Sequence, residues 1–237
     1  MAQNGLLTQP LAGETKSEWK QLLRPGILKA VVIGVCIAIL GQFMGVNAVL
    51  YYGPSMFKDA GMSDPLFCQV LVGVVNMLTT VLATFIIDRV GRHKLIYYGV
   101  SGMIFCLIMI AAYFAFHESW GLSVWFMLTF FLLYVFCCAV SISAVVFVML
   151  SEMYPNSVRG LAMSIVGFAL WIGTYLIGQL TPWMLETLKP TGTFLLFAVM
   201  CVPYILIMWR CVPETAGMSL EDIELYWTKQ GSKQEKK

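Results

Sequence analysis

Gln42 and Asn47 are two carboxamides five residues apart in a stretch that is otherwise largely apolar, Gly41-Gln42-Phe43-Met44-Gly45-Val46-Asn47-Ala48-Val49-Leu50-Tyr51-Tyr52-Gly53-Pro54. Burying such groups costs free energy unless their donors and acceptors find partners. They should therefore face the interior of a helical bundle or a water-filled cavity. Five residues turn about 140° around an ideal helix, so both amides reach one cavity most easily where the helix is irregular. Gly41, Gly45 and Gly53-Pro54 permit that irregularity. Gly34, Ala38, Gly41 and Gly45 also fit a small-residue stripe for close helix packing, with the amides as interhelical glue. Spacing alone leaves both readings open.

A second group is ionic: Asp88, Arg89, Arg92, Glu152, Arg159 and Glu214. By chemistry alone these are surface charges that set topology. Nothing supports an enzyme. The chain has no G-x-S-x-G, no H-E-x-x-H and no phosphate-cradling glycine loop. His93 and His117 have no nearby metal-ligand partner in sequence. The seven cysteines, Cys36, Cys68, Cys106, Cys137, Cys138, Cys201 and Cys211, are odd in number and form no C-x-x-C pair, which argues against zinc and against a disulfide framework. They read as reduced packing residues, and no cofactor is expected.

The elements that must position these groups follow from composition. Of 237 residues, 59% are hydrophobic and 12% charged, and the mean hydropathy is +0.79. Soluble domains carry about twice that share of charge, so the chain reads as an integral membrane protein in contact with a lipid bilayer. A net charge of +2 is too small to suggest a nucleic-acid partner. Crossing the bilayer takes about 20 mainly apolar residues. Six such runs are present, roughly Ile27–Tyr52, Leu66–Ile87, Leu95–Phe116, Trp120–Leu150, Leu161–Leu185 and Phe194–Val212. They are continuously apolar, which favours helices over a β-barrel. Gly53-Pro54, Pro65, Pro155, Pro182, Pro190 and Pro213 are expected at span ends.

The predicted organisation is a polar segment over 1–26, a six-helix transmembrane bundle over 27–212, and a polar segment over 213–237. The first segment lacks the pattern of a signal peptide. In the last, Ser219-Leu220-Glu221-Asp222 has the form of a capping box, predicting a short helix over Leu220–Trp227. Lys16, Lys20, Arg24, Lys29, Arg89, Arg92, Lys94, Arg159, Arg210, Lys229, Lys233, Lys236 and Lys237 flank one set of span ends, and Lys58 and Lys189 the other. The positive-inside rule makes the first set cytoplasmic. Both termini are then cytoplasmic, and an even number of spans agrees by placing them on one side.

The first-span segment resembles the Q-Q-x-x-G-[IV]-N-A-x-x-Y-Y signature that opens the C-terminal half of sugar porters in the major facilitator superfamily. Gln42, Gly45, Asn47 and Tyr51 match it, and Gly41 replaces its first Gln. Asp88-Arg89-Val90-Gly91-Arg92 is similar to the family's D-R-x-G-R loop. Glu152-Met153-Tyr154-Pro155-Asn156-Ser157-Val158-Arg159-Gly160 is similar to E-x-[FY]-P-x-x-x-R-G, and Pro213-Glu214-Thr215-Ala216-Gly217 to P-E-T-K-G. These motifs stand in the family's order at the expected span ends. The resemblance covers essentially the whole chain, including Leu7-Thr8-Gln9 onward, which looks like the end of the family's cytoplasmic linker.

The resemblance implies an all-α membrane protein that is half of a major facilitator superfamily fold. It implies transport of a monosaccharide, a pentose or hexose such as xylose or glucose, by alternating access. The substrate wall would be Gln42, Asn47, Tyr51, Asn76, Phe147 and Trp171. The ionic group would form a cytoplasmic gate; Asp88 and Glu152 are acids among inside cations, which positive-inside bias alone does not require. The partner would be an N-terminal six-helix half, from the same gene or a separate chain, and an opening within the family's linker favours a cut gene. Any proton coupling would run through that half, since none of the six spans has an acid at its apolar centre. The expected location is the plasma membrane, as in the bacterial inner membrane.

Departures from the pattern matter too. Where the family commonly has G-P-x-x-W, this chain has Ser143-Ala144-Val145-Val146-Phe147, which loses a hinge pair and an indole donor. Leu170 stands where bacterial xylose–proton symporters have a sugar-contacting Gln. Of the first and fourth spans, which correspond in an inverted repeat, only the first is visibly interrupted. A hinge in the fourth would fall to Ser141 and Ser143. These losses motivate a competing reading, a non-transporting sugar sensor or membrane interaction module.

Overall fold

The computed structural model describes residues 19–59 and 61–212. The helices run in the order α1 (Pro25–Phe43), α2 (Val46–Asp59), α3 (Pro65–Val90), α4 (Arg92–Trp120), α5 (Val124–Cys138), a π-helical turn (Ala139–Ser143), α6 (Ala144–Met153) and α7 (Arg159–Cys211). Local chemistry sets several of their ends. Pro25 opens α1 and Pro65 opens α3, where the absent N–H has no helical partner to lose. Asp64 caps α3 by accepting from the Phe67 amide at 3.0 Å. Gly121, with φ 60°, closes α4.

Five helical stretches among the described residues are long and apolar enough to cross a membrane. The last, α7, has 53 residues and would be about 80 Å long if straight, far beyond a bilayer. It is not straight. Lys189 has φ 59° and ψ 169°, and Thr193 donates to its carbonyl at 2.9 Å. Both arms return to α1: a Cβ on Gly34 would lie 3.1 Å from Val166, and one on Gly41 would lie 3.8 Å from the Tyr204 ring. Among the described residues the five stretches thus comprise six apolar segments, the last stretch supplying two on either side of Lys189.

The helices outrun those apolar stretches because they continue through the polar interface. α4 begins at Arg92, and Trp120, expected to open the fourth span, closes α4 instead. Gly53-Pro54 and Pro182, expected at span ends, lie inside α2 and α7. Proline frees the carbonyl four residues earlier, and in a membrane that group needs another partner. Pro54 frees the Leu50 carbonyl, which accepts from Gln69 Nε2 at 2.8 Å. Pro182 frees the Gly178 carbonyl, which accepts from the Tyr52 hydroxyl at 3.0 Å. Each proline is thus tolerated by a side chain from another helix.

At the end of the bundle holding the 59–65 and 120–124 connections, aromatic rings join four elements. Phe57 meets Phe131 at 5.1 Å between centroids, Phe131 meets Phe194 at 5.7 Å, and Phe194 stacks on Phe114 at 5.9 Å. All seven cysteines are free thiols, with Cys68, Cys106, Cys138 and Cys201 buried. The polar segment expected over 1–26 is described from residue 19 onward; the helix expected over Leu220–Trp227 lies outside the described residues.

Candidate functional site

The first span breaks between its two amides. α1 ends at Phe43 and α2 begins at Val46. Gly45 between them has φ 92°, a conformation that a Cβ disfavours. A Cβ there would also lie 2.8 Å from ring atoms of Phe197, which is fully buried. The Met44 carbonyl, at the break, accepts from the Tyr134 hydroxyl at 2.8 Å. The break is thus held by one glycine and by side chains from α5 and the second arm of α7.

Its effect is to bring Asn47 onto Gln42. Asn47 Nδ2 donates to Gln42 Oε1 at 2.6 Å. The Thr174 hydroxyl lies 3.1 Å from the same oxygen and 3.0 Å from the Leu170 carbonyl. α7 comes this close because position 173 is glycine: a Cβ there would be 3.1 Å from Gln42 Cγ and 3.3 Å from Ile39 Cα. Each carboxamide has two N–H donors and an acceptor oxygen, so one mutual bond leaves both with capacity for a solute.

The pair forms part of the wall of a cavity of about 300 Å³. Gln42, Asn47, Tyr51, Asn76, Phe147 and Trp171 all line it, drawn from α1, α2, α3, α6 and α7. Tyr51, Phe147 and Trp171 are 58%, 51% and 69% exposed, which leaves ring surface available to a ligand. Gly41 and Leu170, two departures from the family pattern, line it as well. Thr174 and Ser143 are lining residues that sequence reasoning missed. A hydroxyl one turn beyond Trp171, in an apolar run, was the available signal for Thr174.

Ser143 ends the π-helical turn, so the fourth span is interrupted as well as the first. Sequence reading placed a visible interruption only in the first, because no glycine or proline marks the fourth. Packing accounts for the difference. The Ser141 hydroxyl donates to the Cys137 carbonyl at 2.6 Å, and α4 presents glycines to the turn. A Cβ on Gly99 would run into the Ser141 side chain and lie 2.9 Å from the Cys137 carbonyl, and one on Gly102 would lie 2.7 Å from Cys137 Sγ.

At the opposite end from the aromatic cluster, Arg92 Nη2 meets Glu152 Oε1 at 2.7 Å. This ties the start of α4 to the end of α6, with the two side chains 14% and 27% exposed. Arg159 Nη2 donates to the Tyr154 carbonyl at 3.4 Å, bracing the connection into α7. Tyr154 is fully buried with its hydroxyl against Gly34 of α1, and burial pushes its phenol well above its ordinary range. Asp88 and Arg89 occupy the last turn of α3, with side chains outside the described part. Glu214 lies outside the described residues.

A family model described as "Sugar (and other) transporter" matches residues 7–227. The chain is 36% identical over 218 residues to the arabinose-proton symporter of Bacillus subtilis, covering 91% of this chain and 46% of that protein. It is 35% identical over 205 residues to the D-xylose-proton symporter of Escherichia coli, covering 83% and 41%. A crystal structure of a double-tryptophan mutant of XylE superposes with a TM-score of 0.79 at 34% identity, covering 90% of this chain and 46% of that one. The chain thus spans about half the length of the curated relatives it matches.

Proposed function

We propose that this chain, which belongs to the sugar (and other) transporter family, works as one six-helix half of a monosaccharide transporter that operates by alternating access. The observation that carries the reading is the Gln42–Asn47 pair, brought together by the Gly45 break and set into a cavity walled by Tyr51, Phe147 and Trp171. A pentose or hexose offers alternating hydroxyl donors and acceptors around an apolar C–H face. Carboxamides suit the first, and aromatic faces the second.

Directional hydrogen bonding falls to Gln42, Asn47 and Asn76, and ring contact to the three aromatics. The Arg92–Glu152 pair acts as part of a cytoplasmic gate with Asp88, Arg89, Arg159 and Glu214, closed while the site faces outward and opened when it faces in. The π-helical turn takes the place of the missing Gly-Pro hinge. By the positive-inside rule the charged end and both termini face the cytoplasm, and the chain resides in the plasma membrane. An N-terminal six-helix half supplies the other wall. Relatives are named as proton symporters; coupling here would run through that other half, because no Asp or Glu stands at the centre of the six spans.

Counterflow of labelled xylose and glucose in proteoliposomes, with the chain reconstituted alone and with an N-terminal half, tests the reading. Saturable flux lost in Asn47→Ala is the expected result. Sugar binding without flux in the two-half protein would favour the competing reading, a sugar sensor, which the loss of the Gly-Pro pair and of Leu170's polar counterpart motivates.

A further inference from the structure

Two donors converge on Gln42 Oε1: Asn47 Nδ2 at 2.6 Å and the Thr174 hydroxyl at 3.1 Å. Gln42 Nε2 and Asn47 Oδ1 take no part in these bonds. Among the described residues neither is a buried atom lacking a partner, so both open onto the cavity that the two residues line. The wall therefore offers a donor from Gln42 beside an acceptor from Asn47.

The amide pair does not fix this polarity by itself. The terminal torsions of Gln and Asn are broad and roughly two-fold. Both carboxamides can turn over and keep one mutual bond, with Gln42 donating to Asn47. The cavity would then meet an oxygen at Gln42 and an N–H at Asn47. Thr174 separates the two arrangements, because only the first turns an acceptor toward its proton. Gln42 cannot draw away, since its stem lies against Gly173, where an added Cβ would stand 3.1 Å from Gln42 Cγ and 3.3 Å from Gln42 Cβ. The hydroxyl has a second acceptor in the Leu170 carbonyl at 3.0 Å. That carbonyl is already engaged by the helical amide one turn on, and each oxygen keeps a second lone pair, so a proton shared between them serves both.

We propose that Thr174 is a positioning residue: its hydroxyl holds the Gln42 carboxamide so that the cavity presents an N–H at Gln42 and an oxygen at Asn47. The site then selects a sugar by the roles of its hydroxyls, one accepting from Gln42 and another donating to Asn47. The proposal rests on the monosaccharide reading above and adds a residue that acts through Gln42.

The experiment is displacement of radiolabelled glucose from the chain in lipid nanodiscs by glucose analogues, each deoxygenated or fluorinated at one carbon. Fluorine accepts weakly and donates nothing, so a fluoro sugar that outbinds its deoxy counterpart marks an accepting hydroxyl. Gln42→Ala and Asn47→Ala show which carbon each amide reads, as the one where deoxygenation no longer costs affinity. In the parent chain the fluoro sugar should outbind the deoxy sugar about fivefold at the Gln42 carbon, the worth of one hydrogen bond, and the two should bind alike at the Asn47 carbon. Thr174→Val, which keeps the side chain's shape and removes its proton, should draw the two ratios together. Thr174→Ala should do the same, and Thr174→Ser should restore the difference. The proposal is overturned if both ratios survive in Thr174→Val and Thr174→Ala, even where all sugars bind more weakly, or if the parent chain shows the reverse polarity. If no sugar displaces glucose, or if Asn47→Ala binds glucose as well as the parent chain does, the monosaccharide reading falls and the proposal with it.

Discussion

The first and fourth spans are both interrupted beside the central cavity, by opposite means. In the first, the glycine sits in the helix that breaks: Gly45 adopts φ 92° and leaves room for the Phe197 ring. In the fourth, the π-helical turn contains no glycine, and the glycines that make room for it, Gly99 and Gly102, belong to α4. A break of the first kind is fixed by backbone conformation. A break of the second kind is fixed by a neighbour and yields when that neighbour moves, which suits a hinge better than a fixed wall.

The sharpest way to break this contrast is Gly45→Ala. It adds a disfavoured backbone conformation to a collision with a fully buried ring, together about 3 kcal/mol or more. Chemical denaturation of the purified chain should show that loss, and sugar binding should go with it as Asn47 leaves Gln42. In a Phe197→Leu background the added cost should shrink, since the two positions are in contact. Gly99→Ala comes next, at about 2 kcal/mol of overpacking. Ser141→Gly should recover part of that loss, because the clash is with the Ser141 side chain.

Replacing both Ser141 and Ser143 by Ala sharpens the contrast from the functional side. Stability should fall by about 1 kcal/mol, while counterflow should change more than binding does. Unchanged transport would remove the fourth-span hinge. Gln69→Leu and Tyr52→Phe each strip the partner from a carbonyl freed by proline and should cost about 1 kcal/mol by thermal unfolding. The smallest effect concerns a third irregularity. Lys189 holds φ 59°, so Lys189→Gly should raise the midpoint by the equivalent of about 1 kcal/mol.

These irregularities differ in how far they can be read from the amino-acid order. Six spans are legible because apolar length is a one-dimensional property, and the first break is legible because Gln42 and Asn47 would otherwise diverge around the helix. The π-helical turn is not, since the two glycines that leave room for it stand some forty residues upstream. Pro54 and Pro182 mislead as end markers for a related reason: what decides their fate is Gln69 and Tyr52 on other helices. In the cavity, the amides and aromatics stand out in an apolar run. Thr174 does not, because a hydroxyl bonded to the carbonyl one turn back is an ordinary way to bury threonine in a helix. The charged end is legible as a set of motifs, but the sequence does not say that Arg92 takes Glu152 while Arg159 turns to a backbone carbonyl.

The corner at Lys189 joins two membrane-crossing arms through a single non-helical residue, so it has no slack. Inserting one residue there would rotate the second arm by about 100° relative to the first. Phe197 would swing off Gly45, and Tyr204 off Gly41. A length change in a turn at the membrane surface would thus be felt at the middle of the bilayer, and natural insertions and engineered tags should be better accepted in the 59–65 and 120–124 connections than at this one.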